Sequence, residues 1–287
     1  MTALALPVRV LERVVRPAPL GLMLWDAALG EPIRSELSIT VRPAGRPSPE
    51  VALFPNKGGV WIADRLPGRA SFDLPDPPLT YRVTVVDPAG AFLPVAFDAD
   101  LPAGGLYDWP GWDALDQSPL APLQPLTERI PLFSGPARQI GAPLAEIRCQ
   151  LAERASGRAA AWAIVTASHE GEVCGLAMAD AKGRATLRFP YPARPRPTLA
   201  ISPPAVTEFR WSVEIAAFYH PGPGATPAIP DLAAVFGQLA HPAPLWRSTI
   251  GAGAPLPATV LSFGRPLVVR TEDTPDGPSS SLLLGQP

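Results

Sequence analysis

Charge is scarce in this chain. Asp, Glu, Lys and Arg make up 17% of its 287 residues, against about 25% in an average soluble domain. The formal net charge is −2. No basic surface is therefore available to displace the counterions of a nucleic acid, and no Lys/Arg run of the polybasic kind occurs. Lysine appears only as Lys57 and Lys182; the other fixed cations are arginines. Cysteine appears only as Cys149 and Cys174, each within an apolar run with the look of a strand, 147–151 and 173–178. Two cysteines allow one pairing. Two small buried thiols are the simpler reading, and a bond between neighbouring strands is the alternative.

Long apolar runs are missing too. The longest candidate, residues 159–167, sits between Arg158 and His169 and falls short of the roughly 18 residues that span a bilayer. Arg9, Glu12, Arg13 and Arg16 interrupt the beginning of the chain, so no charged segment followed by an apolar one marks a secretory signal. The expectation is a chain that is cytoplasmic at synthesis and does not insert into a membrane.

Catalytic signatures are equally sparse. The three histidines, His169, His220 and His241, match no tetrahedral metal spacing. Ser134-Gly135 and Ser262-Phe263-Gly264 lack the first glycine of a nucleophile elbow. Gly251-Ala252-Gly253 runs into Ala-Pro-Leu-Pro, which cannot open a phosphate-binding helix. No catalytic, cofactor or metal residue is expected. A pair of acids for glycoside hydrolysis can be assembled only from Asp108, Asp113 and Asp116, which read more simply as solvated loop acids.

What is abundant is proline, with 40 residues, and glycine, with 24. Proline removes a backbone donor and breaks helix interiors. Spread evenly, it leaves room for short strands joined by rigid turns. Period-two alternation marks Leu37-Ser38-Ile39-Thr40-Val41 and Tyr81-Arg82-Val83-Thr84-Val85. Asp87-Pro88-Ala89-Gly90 closes a turn before a return strand at 91–97. Residues 8–15 also read as a strand, as do 51–54 and 59–63 around the turn Pro55-Asn56-Lys57-Gly58. Further strands are expected at 145–153, 160–167, 173–178, 185–189 and 209–219. Asp231 can cap one helix, with Leu232, Val235, Phe236 and Leu239 on one face and Pro242 ending it.

Residues 102–125 are rich in Gly, Pro and aromatics, a long loop of the kind that is usually functional or a linker. Tyr107, Trp109 and Trp112 lie on it. Exposed, they would anchor a protein interface; folded inward, they would only extend the core. The expected architecture is all-β, with two tandem antiparallel Greek-key sandwiches, long Pro/Gly-rich loops and one short helix. The first sandwich would span residues 1–125, the second 126–270 with the helix near 231–239, and 271–287 would be a flexible tail.

Two halves of the chain echo each other. Ala63-Asp64, then Gly68-Arg69-Ala70 and an alternating stretch to Pro75, matches Ala179-Asp180, then Gly183-Arg184-Ala185 and a stretch to Pro190. Trp25-Asp26-Ala27-Ala28-Leu29-Gly30 similarly matches Ala152-Glu153-Arg154-Ala155-Ser156-Gly157. This order of strands and acidic-Gly turns resembles the carboxypeptidase-regulatory-like (prealbumin-like) β-sandwich over roughly residues 20–100 and 140–220. The resemblance implies seven-stranded modules used for scaffolding, adhesion or docking, and it carries no catalytic residues. Residues 85–94 and 131–138 resemble segments of uncharacterised proteins associated with phage-tail-like contractile injection systems. That implies a structural or adaptor subunit of a particle that can leave the cell. The expected partners are other protein subunits or further copies of the chain. The alternative is a carbohydrate- or ligand-binding module built on Trp109, Trp112 and the nearby acids, with a hydrolase behind it.

Overall fold

The computed structural model describes residues 18–45, 47–68, 78–101, 106–110, 130–139, 144–193, 209–222 and 226–285. Short strands, most of them paired antiparallel, dominate these residues, with one α-helix, Leu232–Gly237, as expected of an all-β chain. The expected strand at 8–15 lies outside the described residues.

One body has a four-stranded antiparallel sheet ordered Val51–Ala52, Ser38–Pro43, Leu79–Val86, Val95–Leu101. Its alternation sends Ile39, Val41, Tyr81, Val83 and Val85 inward. The same core takes Leu20, Leu22 and Trp61 from one three-stranded sheet and Leu24, Ile130 and Leu132 from another. The other body is built from a sheet led by Arg184–Pro190 and Leu144–Glu153 and a sheet led by Glu172–Met178, Ile164–His169 and Arg210–Phe218. The hairpin Ile164–His169 to Glu172–Met178 turns on Glu170 and Gly171 alone, both at positive φ (53° and 84°). Two such residues match the right-handed twist of the flanking strands.

The two bodies repeat one pairing scheme. Leu24–Asp26 runs parallel to Ile130–Leu132, and residues 151–153 run parallel to Leu282–Leu284. The Gly30 amide donates to the Asp26 carbonyl at 2.9 Å, and the Gly157 amide to the Glu153 carbonyl at 2.8 Å. Both glycines have positive φ, 66° and 68°. The Ile33 amide donates to Leu24 at 2.9 Å and the Ala160 amide to Leu151 at 3.0 Å. Across the facing sheets, Ser38 opposite Val86 corresponds to Ile164 opposite Phe218.

The turn before the next strand corrects one echo. Asn56 Oδ1 accepts from the amides of Gly58 and Val60 at 2.8 and 3.1 Å. Asp180 Oδ1 accepts from Lys182 and Arg184 at 2.8 and 2.9 Å. Gly59 and Gly183 then take φ of 79° and 75°. The counterpart of Asp180–Gly183 is therefore Asn56 to Gly59, not Asp64 to Gly68. A short side chain that accepts two amides, followed by a left-handed glycine, defines the turn; the letters around it do not.

The halves diverge in two places. The link from Val86 to Val95 is short, whereas its counterpart carries residues 219–241 with the helix. The strand Val95–Leu101 is continuous, while its counterpart is split into Pro242–Ala243 and Thr259–Ser262, both paired with Arg210–Phe218.

The boundary read near residue 125 does not separate the cores. Ile130, Leu132 and Phe133 are buried in the first core, because their strand pairs with Leu24–Asp26. The helix packs there too. Leu232, Val235, Phe236 and Leu239 join the first core, with Phe236 5.1 Å from Trp109 and 6.1 Å from Phe133 between ring centroids. At one end the sheet containing Ile164–His169 is covered on both faces, while Arg210, Ser212, Glu214 and Ala216 stay exposed. Val165, Ala167, Val213 and Ala217 face the second core, while Ile164, Leu176, Met178 and Phe218 face the first. A sheet covered twice loses the hydrophobic–polar alternation of an exposed one. The tail is not loose either: Leu282–Leu284 fills the sheet between Leu144–Glu153 and Leu245–Ser248. Thr271, fully buried, donates its hydroxyl to the Trp246 carbonyl at 2.7 Å and accepts the Leu283 amide at 2.9 Å.

Candidate functional site

The second body's long insertion opens a cleft of about 560 Å³, within the range of small-ligand sites. Asp231 heads its helix, accepting the Ala234 amide at 3.0 Å and pairing with Arg82 of the first body. Arg82 also donates to Asp98 at 3.1 Å. Burial opposes its charge, but the two carboxylates outweigh that and raise its pKa.

On the opposite wall, Glu153 accepts from Tyr219 Oη at 2.9 Å and from Arg158 Nη2 at 3.1 Å, and also from Ser156. Burial disfavours the carboxylate, yet the bonds from Ser156, Tyr219 and Arg158 outweigh it and hold the carboxyl below its ordinary range. Burial, then the Glu153 bond, pushes the Tyr219 phenol up to about 12, so it remains a donor. The quasi-equivalent acid of the first body, Asp26, is closed off instead. Arg138 binds it from both guanidinium ends and leaves both side chains under a tenth exposed.

Between the walls lies Trp162. Its φ is 64°, a left-handed conformation that is an outlier for a bulky residue and costs about 1–3 kcal/mol. Gln238 fixes it, donating Nε2 to the Trp162 carbonyl at 2.8 Å and accepting the His220 amide at 3.3 Å. The indole donates to the Pro227 carbonyl at 3.2 Å. At the rim, the His220 and His241 rings stack at 4.4 Å with 25° between planes, and both are exposed.

The residues singled out from sequence lie elsewhere. Trp109 is 2% exposed and Tyr107 8%. Neither is an exposed anchor, because the Tyr107 amide bonds Gly21 at 2.8 Å and draws the loop back onto the first core. Trp112, Asp113 and Asp116 lie outside the described residues. Cys149 and Cys174 are free thiols, one on each sheet of the second body. Among the described residues, no group of three or more His, Cys, Asp or Glu is placed to hold a metal, and no helix is long and apolar enough to cross a membrane. Sequence reasoning missed Glu153, Tyr219, Trp162 and the histidine stack. Their only signal is the Glu153 turn echo, since the other groups converge from separate segments.

A second feature is the end of the second body. Thr259–Ser262 and Leu267–Val269 lie side by side, one from each sheet. Among the described residues each pairs on one side only, and Val260 and Val268 are 57% and 66% exposed. Residues 85–94 and 131–138 meet in the first body: Phe92 bridges Ser134, and Arg138 lies 5.0 Å over the Phe92 ring. No protein-family model, curated protein or solved structure matches the chain.

Proposed function

We propose that this chain is a non-catalytic structural or adaptor protein that assembles with other protein subunits. The observation that carries the reading is that Thr259–Ser262 and Leu267–Val269, among the described residues, each pair on one side only and expose Val260 and Val268. Open strands offer a row of backbone donors and acceptors, and native proteins normally blunt them. Here Val260 and Val268 are exposed, the charges beside them are Arg265 and Arg270, and no acidic residue occurs between Asp231 and Glu272. Strand addition by a partner is the standard use of such an edge. Saturation of the cleft's carboxylates by Arg82, Arg158, Ser156 and Tyr219 supports a binding role over acid–base chemistry. The resemblance of residues 85–94 and 131–138 points to a contractile injection particle as the assembly. A tagged pull-down from the native host, read by mass spectrometry, tests the reading. Partner proteins recovered in stoichiometric amounts, and lost with Val260→Glu/Val268→Glu, are the expected result. Recovery of the chain alone would overturn it.

A further inference from the structure

We propose that the cleft between the helix and the Glu153 wall binds an uncharged, proline-rich extended segment of a partner protein. The proposal rests on the assembly reading and names the chemistry of a partner at a second place on the molecule.

The first argument is charge. Arg82 is matched by Asp98 and Asp231, and Arg158 by Glu153. A neutral ligand leaves these pairs intact. The second is hydrogen bonding. Both Glu153 oxygens are occupied by Tyr219, Ser156 and Arg158, and Asp231 accepts from Ala234 and Arg82. Toward the opening stand Arg158, which offers only donors, and two imidazoles that each offer one donor and one acceptor when neutral. Among these three side chains donors outnumber acceptors, which favours a ligand rich in acceptors. Proline residues supply carbonyls and no N–H.

The third is shape. The stacked histidines, Tyr219 and the prolines Pro221, Pro227 and Pro230 present flat, rigid surfaces around the opening. Polyproline II segments dock in grooves lined by aromatic rings, and little conformational entropy is lost because the helix is preformed. The fourth is preorganisation. Trp162 is locked in a strained backbone state by Gln238 and Pro227, and such strain clusters at ligand clamps. At the equivalent position of the first body Arg138 covers Asp26 instead.

The test is a calorimetric titration of the intact chain with an acetylated, amidated decaproline. A blocked Gly-Ser peptide of the same length serves as reference. Saturable binding of decaproline, weakened about tenfold or more by His220→Ala or His241→Ala and unchanged by Val268→Glu, is expected. Both histidines are exposed, so their removal leaves the fold intact, and an unchanged thermal midpoint checks this. Absence of saturation with folded protein, equal binding of the Gly-Ser peptide, or indifference to both histidine substitutions would overturn the proposal. If decaproline fails while the pull-down still yields partners that need Val260 and Val268, the cleft proposal falls and the edge reading stands. If decaproline binds but the chain is recovered alone, the reverse holds.

Discussion

Replacing Phe236 by alanine probes the join between the two bodies. Phe236 comes from the second half of the chain but is buried in the first core against Trp109 and Phe133. Truncating a buried phenylalanine costs about 3–5 kcal/mol in lost transfer energy and residual cavity. The upper part of that range applies here, because two aromatic contacts disappear together. The same core holds Ile164, Met178 and Phe218 from the doubly covered end of the sheet containing Ile164–His169, so loosening it exposes one face of the second body. Urea unfolding followed by tryptophan fluorescence and by far-UV circular dichroism should therefore give coincident transitions in both proteins. The variant's midpoint should fall by the equivalent of that loss. A cost under about 1 kcal/mol, or two separate transitions of which only one moves, would refute the account of a shared core.

Four further outcomes follow from single features. Arg138→Ala leaves Asp26 buried without its cation and should cost about 3–5 kcal/mol, and adding Asp26→Asn should return part of the loss in the same urea assay. Gly59→Ala and Gly183→Ala both place a side chain at positive φ, worth about 1–2 kcal/mol. Only at Gly183 would the new Cβ meet a backbone oxygen, that of Leu151 at 2.3 Å, so its midpoint should drop clearly further than that of Gly59→Ala. Burial pushes the Cys149 thiol up to about 12 and the Cys174 thiol up to about 11; neither should react with iodoacetamide at neutral pH until denaturant is added, as mass spectrometry would show. The lowered pKa of Glu153 means its contribution is complete above the ordinary glutamate value and is lost as pH falls through the folded one. Glu153→Gln should therefore flatten the decline in stability below about pH 4, and an unaltered acid limb would contradict the bonding described.

Strand positions were largely legible because half-buried strands alternate: Ser38–Pro43, Leu79–Val86 and Arg210–Phe218 all carry the pattern. The helix was legible through Asp231 and its apolar face. Tertiary assignment was not. Ile130–Leu132 reads as the start of a second module because the long proline-rich stretch precedes it, yet its parallel pairing with Leu24–Asp26 is a long-range contact with no local signature. Leu282–Leu284 follows a polar, Ser- and Pro-containing run, and only the gap it fills beside residues 151–153 makes it a strand. The aromatic loop misled for a related reason: the spacing of Tyr107 and Trp109 says nothing of direction, and the apolar surface of the first core decided it. The cleft was illegible because Glu153, Trp162, Tyr219 and His241 come from four separate segments, and the helix insertion brings them together.

The central claim, that the edge at Thr259–Ser262 and Leu267–Val269 is where partner subunits add, is tested most directly by photo-crosslinking in the native host. A photoreactive amino acid is placed in turn at Val260, at Val268 and, as a reference, at Glu170 in the exposed hairpin turn. The account predicts one discrete adduct with the same partner from Val260 and Val268 and none from Glu170. No discrete adduct at either valine, or the same pattern from all three positions, would contradict it.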